Sequence, residues 1–138
     1  PLVQNYFEQY LGQFPAQVFD KINENFIRCS FFELCSRYLS SYYTFAIEQN
    51  NSAGRSDFEM TGIPGTDYYK DDRIVEFKYF KAKEAEHMLA LNDPRPEDVA
   101  QVRAYAKDTK LKFPIYNVRS YIVYICANKG WKCWEVTE

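Results

Sequence analysis

A single histidine, four cysteines at unhelpful spacings and no long apolar run remove several classes of function from this 138-residue chain. His87 has no second histidine to work with and sits among Lys81, Lys83, Glu84 and Glu86, so a histidine-based nucleophile has little support. Cys29, Cys35, Cys126 and Cys133 match no zinc ribbon or finger, and the apolar neighbours of Cys29, Cys35 and Cys126 point to ordinary buried, reduced thiols. No eighteen-residue apolar stretch and no charged-then-apolar leader occurs; neither membrane insertion nor secretion is indicated, and a cytoplasmic home is expected. A Gly-rich Walker-type lysine loop is missing too, which places any ATPase engine outside this chain. Because the first residue is Pro1 rather than Met, the chain is expected to be a single domain cut from a longer protein.

A large excess of charge of either sign is also missing. The net charge of −2 offers no global argument for a polyanionic partner. Its distribution is uneven, however. Between Val99 and Trp134 seven basic residues (Arg103, Lys107, Lys110, Lys112, Arg119, Lys129, Lys132) face one acid, Asp108. Two readings fit: lysines that solvate a helix and its loop, or a surface that binds phosphates.

What is abundant is apolar and aromatic: 46% hydrophobic residues, with 12 Tyr and 11 Phe, suit one packed domain rich in strands. Apolar residues recur at helical spacing from Pro15 to Leu39, predicting one long amphipathic helix. Tyr42 to Gln49 turns β-branched and aromatic, and Asn50 to Gly54 is turn chemistry. Arg55 to Thr61 and Arg73 to Phe80 alternate as two strands of a hairpin around a Gly/Pro-rich loop. Helices follow over Lys81 to Leu91 and Glu97 to Lys107, then strands over Ser120 to Ala127 and Trp131 to Val136.

Chemistry gathers on the hairpin. Gly54-Arg55-Ser56-Asp57 precedes Glu76-Phe77-Lys78 by one strand. Alternation puts Asp57 with Glu59 on one face of its strand, and Glu76 with Lys78 on one face of the next. Two carboxylates are enough protein ligands for Mg²⁺, which keeps several of its waters, and the carbonyl of Phe77 adds a further oxygen. Lys78 would orient an attacking water or stabilise negative charge on a phosphoryl group. The plain alternative is an exposed Glu–Lys pair on a surface strand.

Taken with Glu24-Asn25-Phe26 on the preceding helix, these motifs resemble the PD-(D/E)XK nuclease superfamily, from about Ile22 to Trp134. More narrowly, the pattern is similar to the nuclease-like domain at the C-terminus of bacterial AAA-ATPase-like proteins. The resemblance implies an α/β, restriction-endonuclease-like fold of order αβββαβ, a mixed four-stranded sheet flanked by helices. It also implies a Mg²⁺- or Mn²⁺-dependent nuclease acting on DNA, with an N-terminal ATPase-like domain as partner; whether two copies pair as a homodimer to cut both strands stays open. Many relatives carry Gln-x-x-x-Tyr on the following helix, here Gln101 and Tyr105, which share a helical face.

In that pattern Asp57 and Glu76 bind metal and Lys78 is catalytic, with Glu24 and Gln101 in support and Gly54, Arg55 and Tyr105 around them. Glu33, on the same helix as Glu24, competes for the helix-acid role. Gly54 and Arg55 shape the turn or meet a phosphate rather than react. A second reading keeps the fold and discards the reaction: a silent binding or regulatory module of a larger ATPase-like protein.

Overall fold

A computed structural model describes residues 1–51 and 54–137, with the side chains of residues 48–57 outside the description. Five strands, β1 (Tyr43–Asn51), β2 (Gly54–Gly62), β3 (Asp71–Phe80), β4 (Asn117–Cys126) and β5 (Gly130–Val136), form one sheet in sequence order. Every neighbouring pair is antiparallel except β3 and β4, which run parallel. A parallel pair requires a crossover. Helices α3 (Ala82–Leu89) and α4 (Pro96–Lys112) supply it. The expected αβββαβ core is therefore present, and β5 enlarges its sheet from four strands to five.

The two faces of the sheet follow from the alternation of side chains. After the short α1 (Leu2–Asn5), α2 (Glu24–Leu39) sets Ile27, Phe31 and Cys35 against Phe58, Met60, Val75, Phe77, Val123 and Ile125 on one side. Ile74, Phe80, Ile122, Tyr124 and Cys126 meet α3 and α4 on the other. With both faces covered, β4 is apolar almost throughout.

The helix expected over Pro15 to Leu39 is two pieces. A 3-10 segment, Ala16–Asp20, ends before α2 begins, and Asn23 caps α2 by accepting a hydrogen bond from the Phe26 N–H at 3.0 Å. Apolar spacing continues across that break, but Asn23 satisfies an orphan donor best from outside the helix. At the other crossover end, α4 continues past Lys107 to Lys112, and Pro114 follows just beyond it. Among the described residues no helix is long and apolar enough to cross a membrane.

Candidate active site

The middle of β3 is steered by the residue between Glu76 and Lys78. Phe77 is fully buried, with its ring centroid 5.1 Å from that of Phe31 and 6.4 Å from that of Phe58. Anchoring Phe77 on the α2 side turns Glu76 and Lys78 toward α4. Glu76 is only 2% exposed, and Lys78 Nζ lies 3.3 Å from its Oε1. An exposed surface pair is thereby set aside.

The first turn of α4 brings a third charged side chain that the motif does not contain. Asp98 Oδ1 is 4.0 Å from Lys78 Nζ. Asp98 is buried; it accepts hydrogen bonds from Arg95 Nε at 3.0 Å and from the Tyr124 hydroxyl. The Arg95 guanidinium lies over the Phe80 ring at 5.1 Å, and the Arg95 N–H donates to Tyr124 Oη at 2.9 Å. An acid in the first turn of a helix reads from sequence as a favourable partner of the helix dipole, which hid its inward role. The signal that could have found it is the shared face of Asp98, Gln101, Val102 and Tyr105.

Glu24 comes from the opposite layer. At the N-terminus of α2, its Oε2 accepts a hydrogen bond from the Tyr79 N–H of β3 at 3.4 Å. Glu33 instead pairs with Arg37 at 2.5 Å on the exposed side of α2. Between the two helix acids, Glu24 is the one beside the motif. Burial opposes the Lys78 ammonium, but Glu76, Glu24 and Asp98 outweigh it and hold its pKa above that of an ordinary lysine.

Asp98→Asn is expected to lower stability by about 2 kcal/mol, the scale of hydrogen bonds between charged partners. Glu97→Gln, on the exposed side of the same turn, is expected to stay within about 0.5 kcal/mol. Urea unfolding of the two variants beside the parent makes the comparison.

A second acidic pair lies nearer the start of β3. Tyr105 donates its hydroxyl to Glu59 Oε1 of β2 at 3.1 Å. Asp72 is buried beside Glu59 and accepts from Thr61 Oγ1 at 3.4 Å. Burial, with the hydrogen bond and charge of Glu59 behind it, pushes the Asp72 carboxyl from 3.8 up to about 9. Between those two values the folded chain keeps a proton that the unfolded chain has lost, so stability falls as pH rises and the loss is complete above about pH 9. Asp72→Asn removes that dependence while keeping a neutral hydrogen-bonding group. It is expected to be more stable than the parent at pH 8, as read from urea midpoints across a pH series.

Asp57 lies in β2, whose ladder with β3 runs from Thr61–Asp72 to Phe58–Val75; Asp57 and Glu76 are the next residues along each strand. The side chains of Asp57 and Arg55, and the surroundings of Gly54, fall outside the described residues. Among the described residues no three carboxylates, histidines or cysteines come together as a metal site. Gln101 is half-buried on α4, one turn after Asp98 and one before Tyr105.

The model of the PD-(D/E)XK nuclease superfamily matches residues 22–135. The chain belongs to this superfamily. Its members typically use divalent metal ions, and the family points to metal-dependent hydrolysis of phosphodiester bonds in nucleic acid. No curated protein matches the chain. Glu76-Phe77-Lys78, an acid-x-lysine run, lies within the matched residues and is the part of the candidate site whose side chains are described.

Proposed function

We propose that the chain is a Mg²⁺- or Mn²⁺-dependent nuclease domain acting on DNA, the C-terminal domain of a longer, cytoplasmic ATPase-like protein. The observation that carries the reading is the pairing of buried Glu76 with half-buried Lys78, 3.3 Å apart, on the face of β3 that meets α4.

The donor set suits a hard divalent ion. Glu76, Glu24 and Asp98 all bear on Lys78, and carboxylate oxygens are the donors such an ion takes. Asp57, Glu76 and the Phe77 carbonyl would hold the ion, all through oxygen. When bound, such an ion supplies Lewis acidity toward the phosphate and lowers the pKa of water.

The side chains do the rest. Lys78, kept charged by three carboxylates, acts as a fixed cation toward phosphoryl oxygens, where negative charge grows, rather than as a neutral base. Asp98 and Glu24 hold that ammonium from two directions. Gln101 supports the site from α4, while Gly54 and Arg55 shape the hairpin beside Asp57 or meet a phosphate.

Plasmid and oligonucleotide cleavage with Mg²⁺ or Mn²⁺, and with a chelator, tests the reading. Metal-dependent nicking is the expected result. Protein that neither nicks plasmid nor binds Mn²⁺ by calorimetry would sink it and leave a silent binding or regulatory module.

A further inference from the structure

Among the described residues, the most exposed large apolar side chains gather, Tyr38 aside, at one end of the sheet. They are Tyr42, Tyr68, Tyr69, Leu111, Phe113 and Ile115, each between 40% and 74% exposed. The sequence scatters them over three connections. The fold brings them together because β3 and β4 start side by side: the Asn117 N–H donates to the Lys70 carbonyl at 2.6 Å. The loop before β3 and the end of α4 therefore meet at the same edge.

The rings fall into two groups. Tyr42 packs edge-to-face on Tyr68 at 5.4 Å, and Tyr116 meets both Tyr69 and Phe113 at 6.1 Å. Each of these contacts is steep, with interplanar angles of 75° to 89°. Edge-to-face contact engages one ring by its edge and so leaves ring surface for another planar partner. A cation already uses one of these surfaces, with Lys70 Nζ 5.9 Å from the Tyr69 centroid.

Positive charge surrounds the rings. Lys70, Lys107, Lys112 and Arg119 are exposed at this end. Lys112 is taken up by Asp108 at 3.1 Å; of the other acids at this end, Asp71 is engaged by Arg73 at 3.0 Å, Asp72 is buried beside Glu59, and Asp67 lies on the loop. Beside the platform, α4 and the edges of β4 and β5 enclose a cavity of about 350 Å³ whose lining includes Arg103, Lys110 and Arg119, with Glu135 as its acid. This is where the basic residues between Val99 and Trp134 are concentrated.

An exposed apolar patch usually marks a binding surface. Rings with solvent-facing surface, ringed by lysine and arginine, are complementary to unpaired bases on a phosphate chain: stacking takes any base, and the cations follow the backbone. We infer that this end of the sheet is a stacking platform for single-stranded nucleic acid, a site distinct from Glu76 and Lys78. From Asp71 to Glu76 is about 16 Å along β3, at ~3.3 Å per residue. A strand held at the platform is thus a few nucleotides from the proposed reacting phosphate. The inference deepens the nuclease reading by assigning it a substrate with unpaired bases.

Binding is measured without cleavage. A fluorescein-labelled oligothymidylate of about twelve nucleotides, the matching oligouridylate and a duplex of the same length are titrated with the protein in a chelator. Tyr69→Ala with Phe113→Ala replaces two exposed side chains and is expected to melt with the parent. Its affinity for the single strands is expected to fall about tenfold or more, with duplex affinity changed far less. The DNA and RNA arms decide which sugar the platform prefers.

Unchanged affinity in the double variant, or no single-strand binding by the parent, overturns the platform. So does a parent that sediments as a dimer and a variant that sediments as a monomer with its oligonucleotide affinity intact, because the patch is then a contact between copies. Single-strand binding that is lost in the variant, in a parent that never cuts with Mn²⁺, supports the platform and overturns the nuclease reading. Cutting with unchanged variant affinity does the reverse.

Discussion

Glu76→Ala is expected to lose Mn²⁺ binding and cleavage together, whereas Lys78→Ala loses cleavage and keeps the metal. The two side chains are 3.3 Å apart on one strand, yet the proposed chemistry separates them. Glu76 is a ligand, so its removal takes the ion and every rate advantage that depends on it. Lys78 is a competitor for the Glu76 carboxylate as well as a helper in the reaction. Taking its charge away leaves Glu76, Glu24 and Asp98 with less neutralisation, which favours a divalent cation. Its fixed charge toward the phosphoryl group is lost, and the expected fall in cleavage rate is on the order of 10²–10³-fold, the scale for one preorganised electrostatic contact.

Lys78→Arg sharpens the contrast. Arginine keeps the charge but presents a planar fork in place of a compact ammonium, and the gap between Glu76 and Asp98 is set for the latter. Partial activity is expected. Calorimetry with Mn²⁺, thermal melts and single-turnover cleavage on the same preparations separate binding, folding and rate. A Lys78→Ala protein that cuts like the parent would remove the lysine from the mechanism.

The second large effect is on stability. Phe77→Ala is expected to cost about 3–5 kcal/mol, the range for truncating a buried aromatic ring. Phe77 is fully buried and touches Phe31 of α2 and Phe58 of β2, so the vacated space is walled by two other large rings that have no simple way to fill it. Phe77→Leu retains most of the volume and is expected to cost less than half as much. Urea unfolding measures both. A Phe77→Ala cost below about 1 kcal/mol would mean that the sheet and α2 close over the gap, against the packing described.

Much of this was legible in the sequence because β-strands encode their two faces directly. The alternation of Val75, Phe77 and Tyr79 with Glu76 and Lys78 read as two sides of one strand, and the structure puts Val75 and Phe77 in the α2-side core. Five strands along the chain were readable for the same reason, although the expected sheet held only four. The break at Asn23 was not, since the apolar rhythm before and after it matches one helix, and only the cap hydrogen bond marks the start.

Asp98 and the partner of Tyr105 were hidden for a different reason. Both depend on which strand α4 crosses and at what height. A helical face gives Asp98, Gln101 and Tyr105 a common direction, but not that one end of it meets Lys78 and the other meets Glu59. Asp57 stands apart again: its place in β2 follows from the strand pattern, and its carboxylate remains a proposed ligand.

The single parallel junction in the sheet also dictates the order in which the site can assemble. β1, β2 and β3 are joined by short connections and pair with their immediate neighbours, so their contacts close small loops. β4 can dock on β3 only after α3 and α4 have crossed the sheet, a far more distant closure. Lys78, Asp98 and Tyr124 belong to β3, α4 and β4, so their cluster needs that distant closure to form. A nascent chain that has emerged only through β3 carries the whole acid-x-lysine motif and still lacks the surroundings that hold its lysine in place.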